Sequence, residues 1–136
     1  IHLPVDAVCS KEFSNDGIKK IHKIRSIPND WQGLDAGPKS ITDFSKVIKR
    51  AKTILWNGPI GVFELESFSK GTIAIGQSIV ESTKNGAFSL VGGGDSVAAV
   101  KKFHFQNKVS YVSTGGGAML ESLEGKDLPG VTALSN

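Results

Sequence analysis

Gly92-Gly93-Gly94-Asp95-Ser96 and Ser113-Thr114-Gly115-Gly116-Gly117-Ala118 are the two stretches whose residue types and spacing point to chemistry. Each lies between a short β-branched apolar run and a segment able to start a helix. A strand that ends in glycines at a helix start leaves backbone N–H groups bare and aimed one way, an arrangement suited to phosphate. Glycine at such corners also has a plain structural use, because tight strand-to-helix turns need positive φ or close backbone approach. Two corners in one chain favour the ligand reading. Asp95 has an ordinary role open to it as a helix N-cap. A carboxylate beside phosphate oxygens repels them unless a cation lies between, so phosphate at this corner implies Mg²⁺ on or near Asp95. Ser96 is expected to cap the same helix rather than act as a nucleophile.

Other stretches could border the same ligand. Asn57-Gly58-Pro59 offers a rigid turn and an amide that both donates and accepts, or simply a loop. Glu64, in Val62-Phe63-Glu64-Leu65, could accept hydrogen bonds from vicinal sugar hydroxyls, although solvent exposure is the ordinary state of a surface acid. Trp31, Phe13 and Phe63 could border an aromatic base or pack in a core. His2, His22 and His104 show no metal-ligand spacing with each other or with Cys9. Neither glycine corner fits the dinucleotide fingerprint, whose third glycine would fall on Val97 or Leu120. The phosphate-loop pattern has a near miss at Gly71 to Ser78, with Gln77 where the lysine belongs.

The elements that must hold these residues alternate between strand and helix. Leu3 to Cys9 reads as a buried strand, 14 to 30 as a polar connection with a turn at Ile27-Pro28-Asn29-Asp30, and Trp31 to Asp35 as a second strand. Pro38 opens a helix on which Ile41, Phe44, Val47, Ile48 and Ala51 recur at helical spacing. Thr53 to Trp56 is the next strand, Ile60 to Phe68 a loop, and Gly71 to Asn85 a helix ended by Asn85-Gly86. Then follow strands at Ala87 to Val91 and Val109 to Val112, and helices at Ser96 to Phe103 and Ala118 to Glu124. The alternation implies an α/β fold, a parallel sheet with helices on both faces. Its strand ends would gather Asp35-Ala36-Gly37, Asn57-Gly58-Pro59 and both glycine corners along one edge.

Composition narrows the classes. The chain has 136 residues, 39% of them hydrophobic, enough to bury a core in a single domain. No apolar stretch is long enough to span a bilayer, and the start, Ile1-His2-Leu3-Pro4, has neither Met nor a signal-peptide pattern, so the sequence reads as an internal piece of something longer. With one cysteine there is no internal disulfide, which fits a reducing, cytoplasmic compartment. The net charge of +3 favours small anionic ligands. Lys19 to Arg25 is basic but has no interleaved aromatics to stack bases, so it reads as a solvated face and not a nucleic-acid surface.

Five blocks together resemble phosphoglycerate kinases. They are Leu3-Pro4-Val5-Asp6, Gly33-Leu34-Asp35 with Gly37-Pro38, Trp56-Asn57-Gly58-Pro59-Ile60-Gly61-Val62-Phe63-Glu64, and the two glycine corners. The resemblance runs in order over nearly all of the sequence, on to Leu123-Glu124-Gly125-Lys126 and Leu128-Pro129-Gly130. It implies that residues 1–136 are the later part of the C-terminal domain of a two-domain kinase, which binds Mg-ADP or Mg-ATP on a Rossmann-like sheet. By that resemblance Gly33 and Leu34 border the adenine, with Phe13 near it, and Glu64 holds the ribose hydroxyls. Asn57 and Pro59 line the phosphate path, and Asp95 helps hold the metal. Gly93, Gly94, Ser96, Gly116 and Gly117 present backbone and helix N-termini to the phosphoryl group, with Gly94 and Gly117 assigned the catalytic share.

The implied reaction is reversible phosphoryl transfer between 1,3-bisphosphoglycerate and ADP, giving 3-phosphoglycerate and ATP, in a monomeric parent enzyme. The N-terminal domain that would hold the phosphoglycerate is not among these residues, and no lysine sits at a glycine corner. Residues 1–136 alone are therefore expected to lack kinase activity, and as part of a cut sheet to be marginally folded or self-associated. A nucleotide-binding module without catalysis is the alternative. An esterase built on Gly94-Asp95-Ser96 would need His104 as its base.

Overall fold

The computed structural model describes residues 1–113. It contains two three-stranded sheets. The first is antiparallel and built from β1 (Asp6–Ser10), β2 (Lys20–Lys23) and β3 (Gln32–Ala36), in the order β2-β1-β3. α1 (Pro38–Arg50) then leads to the second sheet, which is parallel: β4 (Thr53–Asn57), β5 (Phe88–Gly92) and β6 (Tyr111–Val112), joined through α2 (Lys70–Lys84) and α3 (Gly94–Lys102). The β4-α2-β5-α3-β6 run is the α/β arrangement that the alternation of patterns implies.

The first sheet departs from expectation. The 14 to 30 region holds β2 and a 3₁₀ turn at Ile24–Ser26, and β1 and β3 run antiparallel, so Asp35-Ala36-Gly37 does not lie on the edge of the parallel sheet. No helix pattern separates β1 from β3, and without a crossover the parallel arrangement has no connection to support it. β2 is exposed at three of four positions, because it is held through its backbone to β1 and buries little side chain. The expected first strand is also shorter than its apolar run: Leu3 and Val5 remain exposed.

One core serves the second sheet. Ile54 and Trp56 of β4, Val91 of β5, Ile75 and Ile79 of α2, Val100 of α3 and Phe105 form a buried cluster, with Phe44 and Ile48 of α1 packed against it. The register pairs Ile54 with Ser89 and Trp56 with Val91, so these side chains share the face that meets the helices. The opposite face carries Leu55, Phe88 and Tyr111, which are 42%, 52% and 59% exposed. The phosphate-loop near miss has a packing origin. A Cβ on Gly76 would lie 2.4 Å from the Phe105 ring, and one on Gly71 would lie 2.2 Å from Asp35 Oδ1.

Candidate functional site

Asn57 pairs with Gly92 across β4 and β5, which sets the Asn57-Gly58-Pro59 turn beside the first glycine corner. Gly93 has φ +90° and serves as the N-cap of α3. A Cβ there would stand 2.7 Å from Asn57 Oδ1, so the position excludes a side chain on two counts. No side chain among the described residues caps this helix. Among the described residues nothing accepts a hydrogen bond from the N–H groups of Gly94, Asp95 or Ser96. A Cβ placed on Gly94 would meet nothing within 4 Å among the described residues, and Gly94 and Asp95 are exposed while Ser96 is buried.

Two sequence expectations change here. The helix begins at Gly94, with Gly93 as its cap, so neither Asp95 nor Ser96 is the N-cap. Glycine at positive φ makes the turn two residues earlier than a capping side chain would. Ser96 is fully buried, and its Oγ accepts a hydrogen bond from the Gly58 N–H. The Gly58 carbonyl in turn accepts from Trp56 Nε1 at 2.7 Å, so the Asn57–Pro59 turn is fastened to α3 at one point and to the core at another. A buried, engaged hydroxyl is no nucleophile. His104, exposed and beyond the far end of the same helix, gives it no base.

Asp95 is exposed in the first turn of α3, beside the open N–H groups, and no described residue forms a salt bridge with it. No group of three or more His, Cys, Asp or Glu side chains is placed to hold a metal among the described residues. A single exposed carboxylate is compatible with Mg²⁺, which commonly takes one or two carboxylates plus phosphate oxygens and water.

A cleft of about 440 Å³ opens on the other side of the turn, of a size ordinary for a small-molecule site. Gly33 and Leu34 of β3 form one wall, and Pro59, Gly61 and Val62 the other. The Val62 N–H donates to the Leu34 carbonyl at 2.9 Å, joining the walls. Pro59 is thus shared between the corner and the cleft, and the structure brings Gly33, Leu34, Asn57, Pro59, Gly93 and Gly94 along one path. Glu64 lies exposed two residues beyond Val62 and does not line the cleft. None of the three aromatic candidates lines it either. Phe13 is exposed, Trp31 packs edge-on against His22, and Phe63 is buried against Phe103 with Lys102 Nζ bonded to its carbonyl at 3.1 Å.

The other two long helices start differently. Asp6 of β1 accepts from the Lys39 and Ser40 N–H groups at 3.1 and 2.8 Å and from Ser40 Oγ at 2.6 Å, closing the start of α1. Burial opposes its charge, but the Ser40 and Lys39 hydrogen bonds prevail and hold its carboxyl below the usual carboxylate range. Asp35 of β3 accepts from the Gly71 N–H at 2.9 Å, closing the start of α2, and from its own neighbour Ala36 at 2.9 Å. Burial pushes its carboxyl up, and the hydrogen bonds from Gly71 and Ala36 offset this only in part. These two acids were not singled out individually from sequence. The available signal was a lone Asp inside each of two apolar strands, Val5-Asp6-Ala7-Val8 and Leu34-Asp35-Ala36.

The second corner, with Gly116 and Gly117, and the expected helix at Ala118 to Glu124 lie outside the described residues. The Ser113 N–H donates to the Val91 carbonyl at 2.8 Å, so β6 carries the chain to the same sheet edge as Gly92.

The family profile described as "Phosphoglycerate kinase" matches residues 1–126. The chain is similar to the phosphoglycerate kinase of Porphyromonas gingivalis, 59% identical over 132 residues that make up 97% of this chain and 32% of that protein. It is 56% identical over 137 aligned residues to the phosphoglycerate kinase of Schistosoma mansoni, covering 100% of this chain and 33% of the relative. Among solved structures, the phosphoglycerate kinase from Coxiella burnetii superposes with a TM-score of 0.87 at 46% identity, over 96% of this chain and 33% of that one. The enzyme from Pyrococcus horikoshii OT3 gives 0.77 at 33% identity, over 97% and 32%. The chain therefore spans about a third of the length of the curated relatives it matches. With the profile covering nearly all of the sequence and the glycine corner, turn and cleft arranged along one path, the chain belongs to the phosphoglycerate kinase family.

Proposed function

We propose that residues 1–136 form the later part of the C-terminal, nucleotide-binding domain of a phosphoglycerate kinase. The parent enzyme transfers a phosphoryl group reversibly between 1,3-bisphosphoglycerate and ADP in the cytoplasm, as a monomer. The observation that carries this reading is the start of α3. Among the described residues its first N–H groups have no acceptor, and Gly94 and Asp95 are exposed, whereas N–H groups at the starts of α1 and α2 are met by buried carboxylates.

In this reading the adenine enters the cleft between Gly33-Leu34 and Pro59-Val62, and Glu64 reaches the ribose hydroxyls from the loop just beyond. Asn57 and Pro59 direct the phosphate tail toward α3. The N–H groups of Gly94, Asp95 and Ser96, with the positive end of the helix dipole, stabilise charge on the transferring group without any rearrangement. Gly116 and Gly117, outside the described residues, are assigned the same role by the family resemblance. Asp95 would hold Mg²⁺, which would supply positive charge to offset that of the phosphates. Phosphoryl transfer depends on in-line positioning and charge stabilisation, both of which fixed backbone dipoles supply.

The remaining two thirds of a full-length relative would bring the phosphoglycerate and the cationic side chains that this chain lacks at its corners. Residues 1–136 alone therefore bind Mg-ADP but do not turn over. Titration calorimetry of the chain with ADP should show saturable binding that depends on magnesium, and Asp95→Asn should weaken it about tenfold, or 1.4 kcal/mol. No saturable binding, or binding indifferent to magnesium and to Asp95, overturns the reading. Turnover in a coupled assay by the chain alone would refute the proposed division of labour.

A further inference from the structure

We propose that Asp35 is a positioning residue for the base-binding cleft, its buried carboxylate setting the separation between β3 and the Pro59–Val62 segment. This rests on the proposed nucleotide reading and adds to it a buried acid in the lining of the cleft, next to Leu34. Asp35 is 5% exposed and directly follows Leu34 on the wall strand. One carboxylate oxygen accepts the Ala36 N–H, which locks the side-chain direction, and the other accepts the Gly71 N–H at the start of α2.

Its contacts reach the opposite wall as well. A Cβ on Gly61 would fall 2.3 Å from Asp35 Oδ1, and one on Gly71 would fall 2.2 Å from it, so both segments close directly onto the carboxylate. Beside it, Leu34 and Val62 share the backbone hydrogen bond that joins the walls. Three segments that are distant in sequence therefore take their spacing from one side chain: β3, the Pro59–Val62 loop and the start of α2. An acceptor-only group with two oxygens suits two converging N–H donors. An amide of the same shape brings an NH₂ against one of them and forces that contact apart.

The effect should therefore fall on the base and not on the phosphates, whose donors lie at the start of α3. Asp35→Asn in the 136-residue chain is expected to weaken adenosine and ADP about tenfold while leaving magnesium pyrophosphate unchanged, all read by calorimetry. Gly71→Ala displaces the carboxylate without altering its charge and should give the same selective loss. It serves as the second test should the Asn variant fail to fold by circular dichroism. Equal weakening of adenosine and pyrophosphate marks a merely structural role and overturns the inference, as does no weakening of either. If the unsubstituted chain binds neither adenosine nor ADP, the proposed function itself falls, and this inference with it.

Discussion

The starts of α1 and α2 contrast with the start of α3. The first two are closed by carboxylates from the antiparallel sheet, Asp6 and Asp35, at N–H to oxygen distances of 2.8 to 3.1 Å. The third has a glycine cap, no side-chain acceptor among the described residues, and an exposed Gly94 whose added Cβ would meet none of them within 4 Å. Every α-helix begins with N–H groups that its own carbonyls cannot reach. When the chain supplies the anion itself, the helix start becomes a joint that docks one sheet onto the next element. When it does not, the same dipole is left for something from solution, so the distribution of buried acids separates scaffold from binding surface.

The contrast can be strained most severely at a closed start. Asp6→Ala leaves the Lys39 and Ser40 N–H groups and the Ser40 hydroxyl without their acceptor, and should cost about 3 kcal/mol of stability in a denaturant titration. A loss under about 0.5 kcal/mol would show that the carboxylate is incidental to the joint.

The two acids should also respond to pH with opposite sign. Asp6 titrates below its ordinary value, so its contribution is complete above that value and is lost as pH falls through the lowered one. Asp35 titrates above its ordinary value, so the fold favours its protonated form. Its contribution is fullest below the ordinary value and declines as pH rises through the raised one. Each group adds a slope of at most about 1.4 kcal/mol per pH unit. Melting temperatures followed from roughly pH 3 to 6 should lose the acid-side fall in Asp6→Asn and the opposite trend in Asp35→Asn. Curves of the same shape in both variants would remove the distinction.

The smallest stability effects belong to the open start, and they divide between adjacent glycines. Gly93→Ala forces a side chain to φ +90° against Asn57 and should cost about 1 to 2 kcal/mol. Gly94→Ala meets open space within a helix and should stabilise by about 0.5 kcal/mol. The same methyl stands where an anion would approach the bare N–H groups, so pyrophosphate affinity should fall about fivefold. If Gly94→Ala leaves anion binding intact, the open start is not the phosphate site.

Much of this could be read from residue pattern. α1, β4, α2 and β5 follow directly from periodicity and from Pro38 and Asn85-Gly86, because each element buries a regular stripe. β2 escaped detection because Lys20-Ile21-His22-Lys23 pairs through its backbone and carries almost no burial signal. The antiparallel first sheet escaped because a rule for strands joined by helices was extended to strands that have none between them. At the site, Gly93, Gly94 and Asn57 announce themselves locally. Asp6 and Asp35 do not, since the N–H groups they satisfy at α1 and α2 lie 33 to 36 residues away in sequence. Ser96 was misread for a related reason: its partner is Gly58, and nothing near Ser96 in the chain marks the bond.

The indole of Trp56 is 5% exposed and bonded through Nε1 to the carbonyl of Gly58, in the turn that separates the cleft from the glycine corner. Any displacement of that turn must stretch or bend this bond, and indole emission is sensitive to the loss of such a partner. The chain thereby carries its own optical gauge at the turn between the cleft and the glycine corner, one that can be read without a label.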